Sequence, residues 1–270
     1  FHNFETNKFT KFFINDIDWK YKQINYSSGL NGRLIGKLKN VNYEAKNTSI
    51  YKTDTTHELF GAIGYLSEIN LFKKIKDNSK HFLTPKMLLR YAPGHMRAET
   101  DKTRLNHSNV FSLDRLNTNK NFESGLSATL GFDYELEESN KKLDFSIAQI
   151  INEKENRDMP SSSSLDQRFS DVIGHSNLEI NENIKLSYNF ALDQNYGQLN
   201  YNELGTSLDF NPIKFDVNYL QEKEHIGNQE YVKADFELMN GKHGILSAGT
   251  KRNLITNSAE YYNLSYEYIN

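Results

Sequence analysis

The chain has no cysteine, only four prolines and no apolar run of membrane-helix length, and each shortage removes a class of protein. Without cysteine, disulfides and thiolate metal sites are excluded for these 270 residues, although the compartment stays open. Four prolines leave little room for disordered linkers, and no shift in composition marks a domain boundary. A spanning helix needs about 18 consecutive apolar residues, so this chain meets a bilayer as strands or not at all. Excess charge is missing too: a net charge of -3 and a pI near 6.3 give no bulk attraction to nucleic acid, and no nucleic-acid partner is expected. The opening FHNFETNKFT lacks the basic start and apolar core of a signal peptide.

Aromatic residues are what the chain has in quantity. Mean hydropathy is -0.72 and hydrophobic residues make up 37%, yet there are 17 Phe and 16 Tyr. Few aliphatics with many aromatics point to β structure with polar surfaces on more than one side. The length of 270 residues suits one large β domain or two ordinary ones.

The apolar positions recur every second residue. In GLSATLGFDYEL, Leu126, Ala128, Leu130, Phe132, Tyr134 and Leu136 alternate with Gly125, Ser127, Thr129, Gly131, Asp133 and Glu135. NIKLSYNFALD repeats the pattern through Ile184, Leu186, Tyr188, Phe190 and Leu192 against Lys185, Ser187, Asn189 and Asp193, and YNLSYEY does so through Tyr262, Leu264, Tyr266 and Tyr268. Similar ribbons near 11–22, 30–44, 58–70, 141–151, 170–180, 198–210, 213–221, 230–238 and 244–252, together with the one starting at Leu83, predict about thirteen strands. Many approach the roughly ten residues that cross a bilayer when tilted.

Connector lengths carry the second signal. Short polar turns at 137–142, 181–183, 211–212 and 239–243 alternate with longer links at 45–57, 92–122, 153–169 and 221–229. A soluble antiparallel sheet shares the period of two but has no reason to sort its loops. The predicted fold is therefore all-β: an antiparallel up-and-down transmembrane β-barrel, with the apolar row toward lipid and the polar row toward a wet or protein-plugged lumen. In LTPKMLLRYAPGHMR this puts Leu83, Met87, Leu89 and Tyr91 outward and Lys86 and Arg90 inward, and Pro93-Gly94 ends pairing near the rim.

The run PKMLLRYAPGHMR, with NVFSLDRL (109–116), ESGLSATLGFDYEL (123–136) and EYYNLSYEYIN (260–270), resembles the barrel domain of the LPS-assembly protein family LptD, also called the organic solvent tolerance proteins, with the alphaproteobacterial branch nearest. The resemblance covers most of 81–270 and is carried by strand pattern alone over 1–80. It implies a very large barrel that inserts lipopolysaccharide into the outer leaflet of the outer membrane, sugar passing through a polar lumen and lipid through a lateral gate. The partners it implies are lipopolysaccharide, outer-membrane lipids, an LptE-type plug lipoprotein, and an LptA-type periplasmic bridge reached through an N-terminal jelly-roll domain. No jelly-roll segment and no aromatic-terminated closing strand are found, and thirteen is an odd count. The expectation is one barrel domain over 1–270, incomplete at both ends, with the gate elsewhere.

No bond is made or broken in such a task, so no catalytic residue, cofactor or metal ligand is expected. Lys86, Arg90, His95, Arg97, Asp133, Glu135 and Lys185 are the candidate lumen-facing or rim polar residues, and His95, Met96 and Arg97 are read as loop packing before sugar-phosphate contact. A diffusion porin or nutrient transporter is the nearer alternative. An outer-membrane hydrolase is the more remote one, built on His95, Asp101, His107, Ser112 and Asp114, or on Asp158, Ser161 to Ser164 and Asp166, residues common enough to share any polar loop. DMPSSSSLD lacks the spacing and the glycine of a calcium loop. The face assignment predicts that Leu130→Arg is costly and Thr129→Arg mild.

Overall fold

The structure is a computed structural model that describes residues 2–3, 7–49, 51, 53–75, 79–116, 118, 121–240 and 244–268. Positions 50 and 52 of the link 45–57, 117 and 119–120 of the first long loop, 241–243 of the turn 239–243, and 269–270 of the final stretch lie outside the described residues.

Period-two sequence becomes one antiparallel sheet. Its strands are β1 (His2–Asn3), β2 (Lys8–Lys20), β3 (Ile24–Asn25), β4 (Leu30–Lys46), β5 (Thr56–Ile69) and β6 (Leu71–Ile75). Next come β7 (Ser79–Ala92), β8 (Gly125–Glu138), β9 (Lys141–Asn152), β10 (Val172–Asn181) and β11 (Ile184–Leu192). The last are β12 (Leu199–Phe210), β13 (Ile213–Glu222), β14 (Gln229–Asn240), β15 (Gly244–Asn253) and β16 (Ser258–Tyr268). Each pairs with its neighbour in chain order, except that β2 and β3 both pair β4, and β5 and β6 both pair β7. Each of those couples is one strand interrupted, at 21–23 and at Asn70, so with β1 set aside there are the thirteen long strands that periodicity predicts. Among the described residues β16 pairs only β15. The loops are sorted as expected, with 139–140, 182–183 and 211–212 at one end and 47–55, 93–124, 153–171 and 223–228 at the other.

Register turns the alternation into rows. One row runs Lys86, Gly131, Ala148, Ile173, Ala191, Tyr201, Glu222 across β7 to β13. The next, toward the short turns, runs Thr84, Asp133, Ser146, His175, Asn189, Glu203, Leu220, and further on comes Lys80, Glu137, Lys142, Glu179, Lys185, Ser207, Asp216, Asp235. This face thus grades from small and apolar near the long loops to charged near the short turns. The opposite face carries Leu89, Tyr91, Leu126, Leu130, Leu204, Tyr262 and Leu264, all exposed. That inverts a soluble protein, in which such a row would be buried.

The buried core lies between the first face and the long loops. Ala148, Ile150, Ile173, Ala191, Tyr201 and Leu220 of the sheet meet Met96, Leu105, Val110 and Leu116 of loop 93–124, and Met159 and Leu165 of loop 153–171. The same loop touches β4 through Asp114 and β13 through Arg104. Those strands lie eight steps apart, ~38 Å on a flat sheet at ~4.8 Å per step. On the same face one groove is lined by residues of six successive strands, from Asp144 of β9 to Lys233 of β14, so the loop-covered face is concave. Gly64 permits the close approach, since a Cβ there would lie 2.7 Å from Leu113 Cδ2.

One expectation is corrected. Thr129 is on the polar face, but it is buried beneath Val110, whose carbonyl accepts its Oγ1 hydrogen at 3.3 Å. An arginine there has no wet lumen to enter and would lift the loop. Three substitutions test the faces in urea titrations of the full chain folded into vesicles. Leu130→Arg is expected to cost about 2–4 kcal/mol for charge placed in lipid, Thr129→Arg to destabilise through the loop, and Ser207→Arg, between Lys185 and Asp216, to be mild. Equal tolerance of Leu130→Arg and Ser207→Arg would remove the lipid-facing row.

Candidate functional site

The site is the concave face together with the loop that fills it. β7 ends at Ala92, where proline cannot donate to the ladder and Gly94 takes φ +99°, the left-handed region. The chain then turns back over the sheet. Its root is a buried charge cluster. Arg90 of β7 donates from Nε to the Leu113 carbonyl at 2.8 Å and from Nη2 to the Glu123 carbonyl at 2.5 Å. Arg115 donates from Nε to Glu123 Oε2 at 2.7 Å, makes a second bond to the same carboxylate, and reaches Ser127 Oγ at 2.9 Å. Lys39 of β4 binds Asp114 at 2.5 Å and the Thr118 carbonyl at 2.6 Å. The aromatic face of Phe122 sits between the Lys39 and Arg90 charges, each 5.6 Å from its centre. Burial pushes the Glu123 carboxyl up, but the Arg115 and Arg90 charges outweigh it and hold it below the usual glutamate range.

From this root an arm crosses the sheet. Arg97 donates to Glu58 at 2.6 Å and to the Tyr43 hydroxyl at 3.0 Å, against an aromatic cluster of Phe12, Tyr43 and Tyr51. Arg104 makes a two-pronged contact with buried Glu222, at 3.0 and 2.5 Å, while stacking 4.3 Å above Tyr201. Partial burial opposes the Arg104 charge, but Glu222 outweighs it and raises the guanidinium above its ordinary value. Between Arg104 and Val110 the tip carries His107, an exposed side chain whose ring stacks on His175 of β10.

The second loop braces the first. The Asp158 carbonyl accepts from the Glu99 amide at 2.8 Å, and Asn156 Nδ2 contacts Met96 Sδ at 3.2 Å. Asp171 accepts from His225 Nε2 at 2.9 Å and from Asn200 Nδ2 at 3.0 Å, all three buried. Asp166 is raised by burial and by the neighbouring Glu155 and Asp171 carboxylates. A single 3-10 turn, Ser161–Ser163, is the helical element in these loops, and no helix among the described residues is long and apolar enough to cross a membrane.

The residues singled out from sequence separate into three settings. Lys86 and Asp133 form an ion pair beside Glu135, at a cleft of ≈ 250 Å³ that His107 and His175 also line. Arg90 faces inward as expected, yet it is sealed at 1% exposure and anchors the loop instead of wetting a wall. Met96 is buried and Arg97 docked, the packing role expected of them, while His95 is exposed. Lys185 stands apart, paired with Glu179 at 3.1 Å near the short turns. The rival triad of the first loop does not assemble: Asp114 is taken by Lys39, Ser112 Oγ bonds the Asp114 carbonyl at 3.0 Å, and His107 stacks on His175. No group of three His, Asp or Glu side chains among the described residues is arranged to hold a metal ion.

Sequence reading passed over Arg104, Arg115, Glu123, Glu222, Asp171 and His225, because aperiodic loops give no face. The usable signal was the excess of Arg over Lys at 90, 97, 104 and 115, since the planar guanidinium is the cation suited to buried bidentate pairing. Removing the Glu123 carboxylate leaves two buried guanidinium groups facing each other. Glu123→Ala is expected to destabilise the loop by about 3–5 kcal/mol, seen as faster amide exchange over 93–124 with β10 to β16 unchanged. Because the Glu123 carboxyl is held low, its contribution is complete above the ordinary glutamate value and lost as pH falls through the depressed one. The root should therefore stay docked at pH 5 and release only in stronger acid. Slow exchange throughout the loop in Glu123→Ala would show that the cluster is not what holds it.

The family model described as LptD: LPS transport system D matches residues 37–265. A comparison with curated proteins gives no match. The matched range begins in β4, ends in β16, and contains the root, the arm and both long loops. Proteins of this family transport lipopolysaccharide at the Gram-negative outer membrane and are not enzymes. A concave polar sheet face, an exposed apolar one and a family match over most of the sheet agree, and the chain belongs to the LptD family of lipopolysaccharide transport proteins.

Proposed function

We propose that the chain acts as one barrel-wall domain in the outer membrane, its concave polar face lining the route of the lipopolysaccharide sugar and its apolar face meeting lipid. The observation that carries this reading is the pair of faces made by one register. Rows ending in Lys185, Ser207, Asp216 and Asp235 back onto rows of exposed Leu, Phe and Tyr. Lipopolysaccharide joins a charged sugar to several acyl chains, so a wall in contact with it needs water on one side and hydrocarbon on the other. The covering of the concave face by 93–124 and 153–171 favours a controlled route over an open diffusion porin.

Below the loops, toward the short turns, a groove of ≈ 430 Å³ is lined by Asp144, Glu179, Lys185, Ser207, Asp216 and Lys233. Paired charges of both signs suit a phosphorylated sugar in transit, since each phosphate meets a cation without finding a deep well. On this reading the long loops face the exterior and the short turns the periplasm. An LptE-type lipoprotein then works from the lumen, and an LptA-type bridge delivers cargo from the periplasmic end.

Photoreactive side chains at Ser207 and Asn218 are expected to trap lipopolysaccharide through its sugar in living cells, and the same group at Leu204 to trap lipid. Adducts at Leu204 alone, in cells that still export lipopolysaccharide, would reject the polar route. For topology, cysteines at Lys154 and Arg157 are expected to react with an impermeant maleimide on intact cells, and cysteines at Asn140 and Glu182 only after the outer membrane is opened. The reverse pattern would invert the barrel.

A further inference from the structure

The tip of the covering loop rests on two histidines. The rings of His107 and His175 stack with centroids 4.0 Å apart and planes 15° from parallel. His107 follows the turn residue Asn106, whose Oδ1 accepts the amides of Ser108 at 3.0 Å and Asn109 at 3.2 Å. His175 is held by a chain of amides whose direction is legible. Asn189 donates its Nδ2 to Glu203 at 3.0 Å, which leaves its Oδ1 to accept from His175 Nδ1 at 2.6 Å. Asn177 Nδ2 then donates to His175 Nε2 at 3.0 Å. Both ring nitrogens of His175 are thus engaged by amides of the sheet, which fixes the plane on which His107 stacks.

We propose that the His107–His175 stack is an acid-sensitive latch, which holds the tip of loop 93–124 over the cleft while His107 is neutral and releases it when that ring takes up a proton. A proton on His107 would put a cation against the second ring, 4.0 Å away.

The neighbouring charges do not cancel this. Asp133 of β8 attracts a cation at His107 but is already paired with Lys86 of β7. Glu135 of β8 and Asp144 of β9 lie farther along the same cleft. On the other side, Glu203 of β12 is engaged by Asn189, Tyr201 and Asn218, and Arg104 of the loop by Glu222. Burial first, then the His175 ring, lowers the His107 value below its ordinary 6.5, with Asp133 opposing. A lowered value in the docked state means that the undocked tip binds more protons. The latch is thus complete above pH 6.5 and weakens progressively as pH falls below it.

The root reads differently, since Glu123 holds to much lower pH. Mild acid should free the turn at 106–109 and uncover the cleft between Lys86, Asp133 and His175, while Leu105 and Val110 stay in the core and Arg90, Arg115 and Glu123 stay locked. This needs only the docked loop and stands apart from the cargo proposed above.

The test uses the full-length protein in nanodiscs, with nitroxides at Ser108 and at Asn195 in the 193–198 loop, and pulsed-EPR distances at pH 7.5 and 5.5. One narrow distance is expected at pH 7.5, and a severalfold larger displaced population at pH 5.5. His107→Phe keeps a stacking ring without a proton site and should remain docked at both values, as should His107→Tyr if the first variant disturbs the pH 7.5 distance. An unchanged distribution at pH 5.5, or an acid transition that survives both variants, would overturn the latch.

Discussion

The arrangement depends on two arginines sharing one buried carboxylate. Arg90 comes from the strand, Arg115 from the loop, and Glu123 from the residues that lead into β8, so their meeting closes loop 93–124 onto the sheet it left. Burying such groups is expensive, and the geometry answers with charge-assisted bonds to the carboxylate and to two backbone carbonyls. One terminal nitrogen of each guanidinium still makes no hydrogen bond among the described residues. The cluster therefore gives specificity of placement more than surplus stability: the loop has one seat, and removing Glu123 leaves two buried guanidinium charges unmatched.

Beneath that seat lies the largest of the apolar clusters among the described residues, in a sheet whose other face is turned outward. Small residues at Gly64, Ala148 and Ala191 make room for loop side chains near the long-loop end. Larger polar ones at Lys185, Ser207 and Asp216 keep the short-turn end wet. One row of the sheet thus serves packing and another stays open and polar, a division set by where the loop stops. The tip lies at the border, where the His107 ring stacks on His175, whereas the root is held by charges that persist over a wide pH range.

Much of this was legible beforehand, and for a physical reason. A strand's side chains alternate strictly, so Leu126 to Leu136 and Ser127 to Glu135 declare two faces without any partner in view. Loop lengths declare the two ends. Even the inward direction of Arg90 followed from its parity with Lys86. Parity does not say what lies above a residue, and that is where Thr129 and Arg90 were misread as wet: both are covered by a segment whose own residues have no period.

By itself the sequence determined the number of long strands, their up-and-down order, the sorting of the loops, and which side chains share a face. All of these are local consequences of a two-residue repeat and of turn chemistry. Only the tertiary structure decided that the polar face is partly dry, that Arg104 crosses the concavity to Glu222, and that His107 finds His175. Those contacts join residues far apart in sequence, and they form only once register and curvature have brought β4 and β13 within reach of one loop.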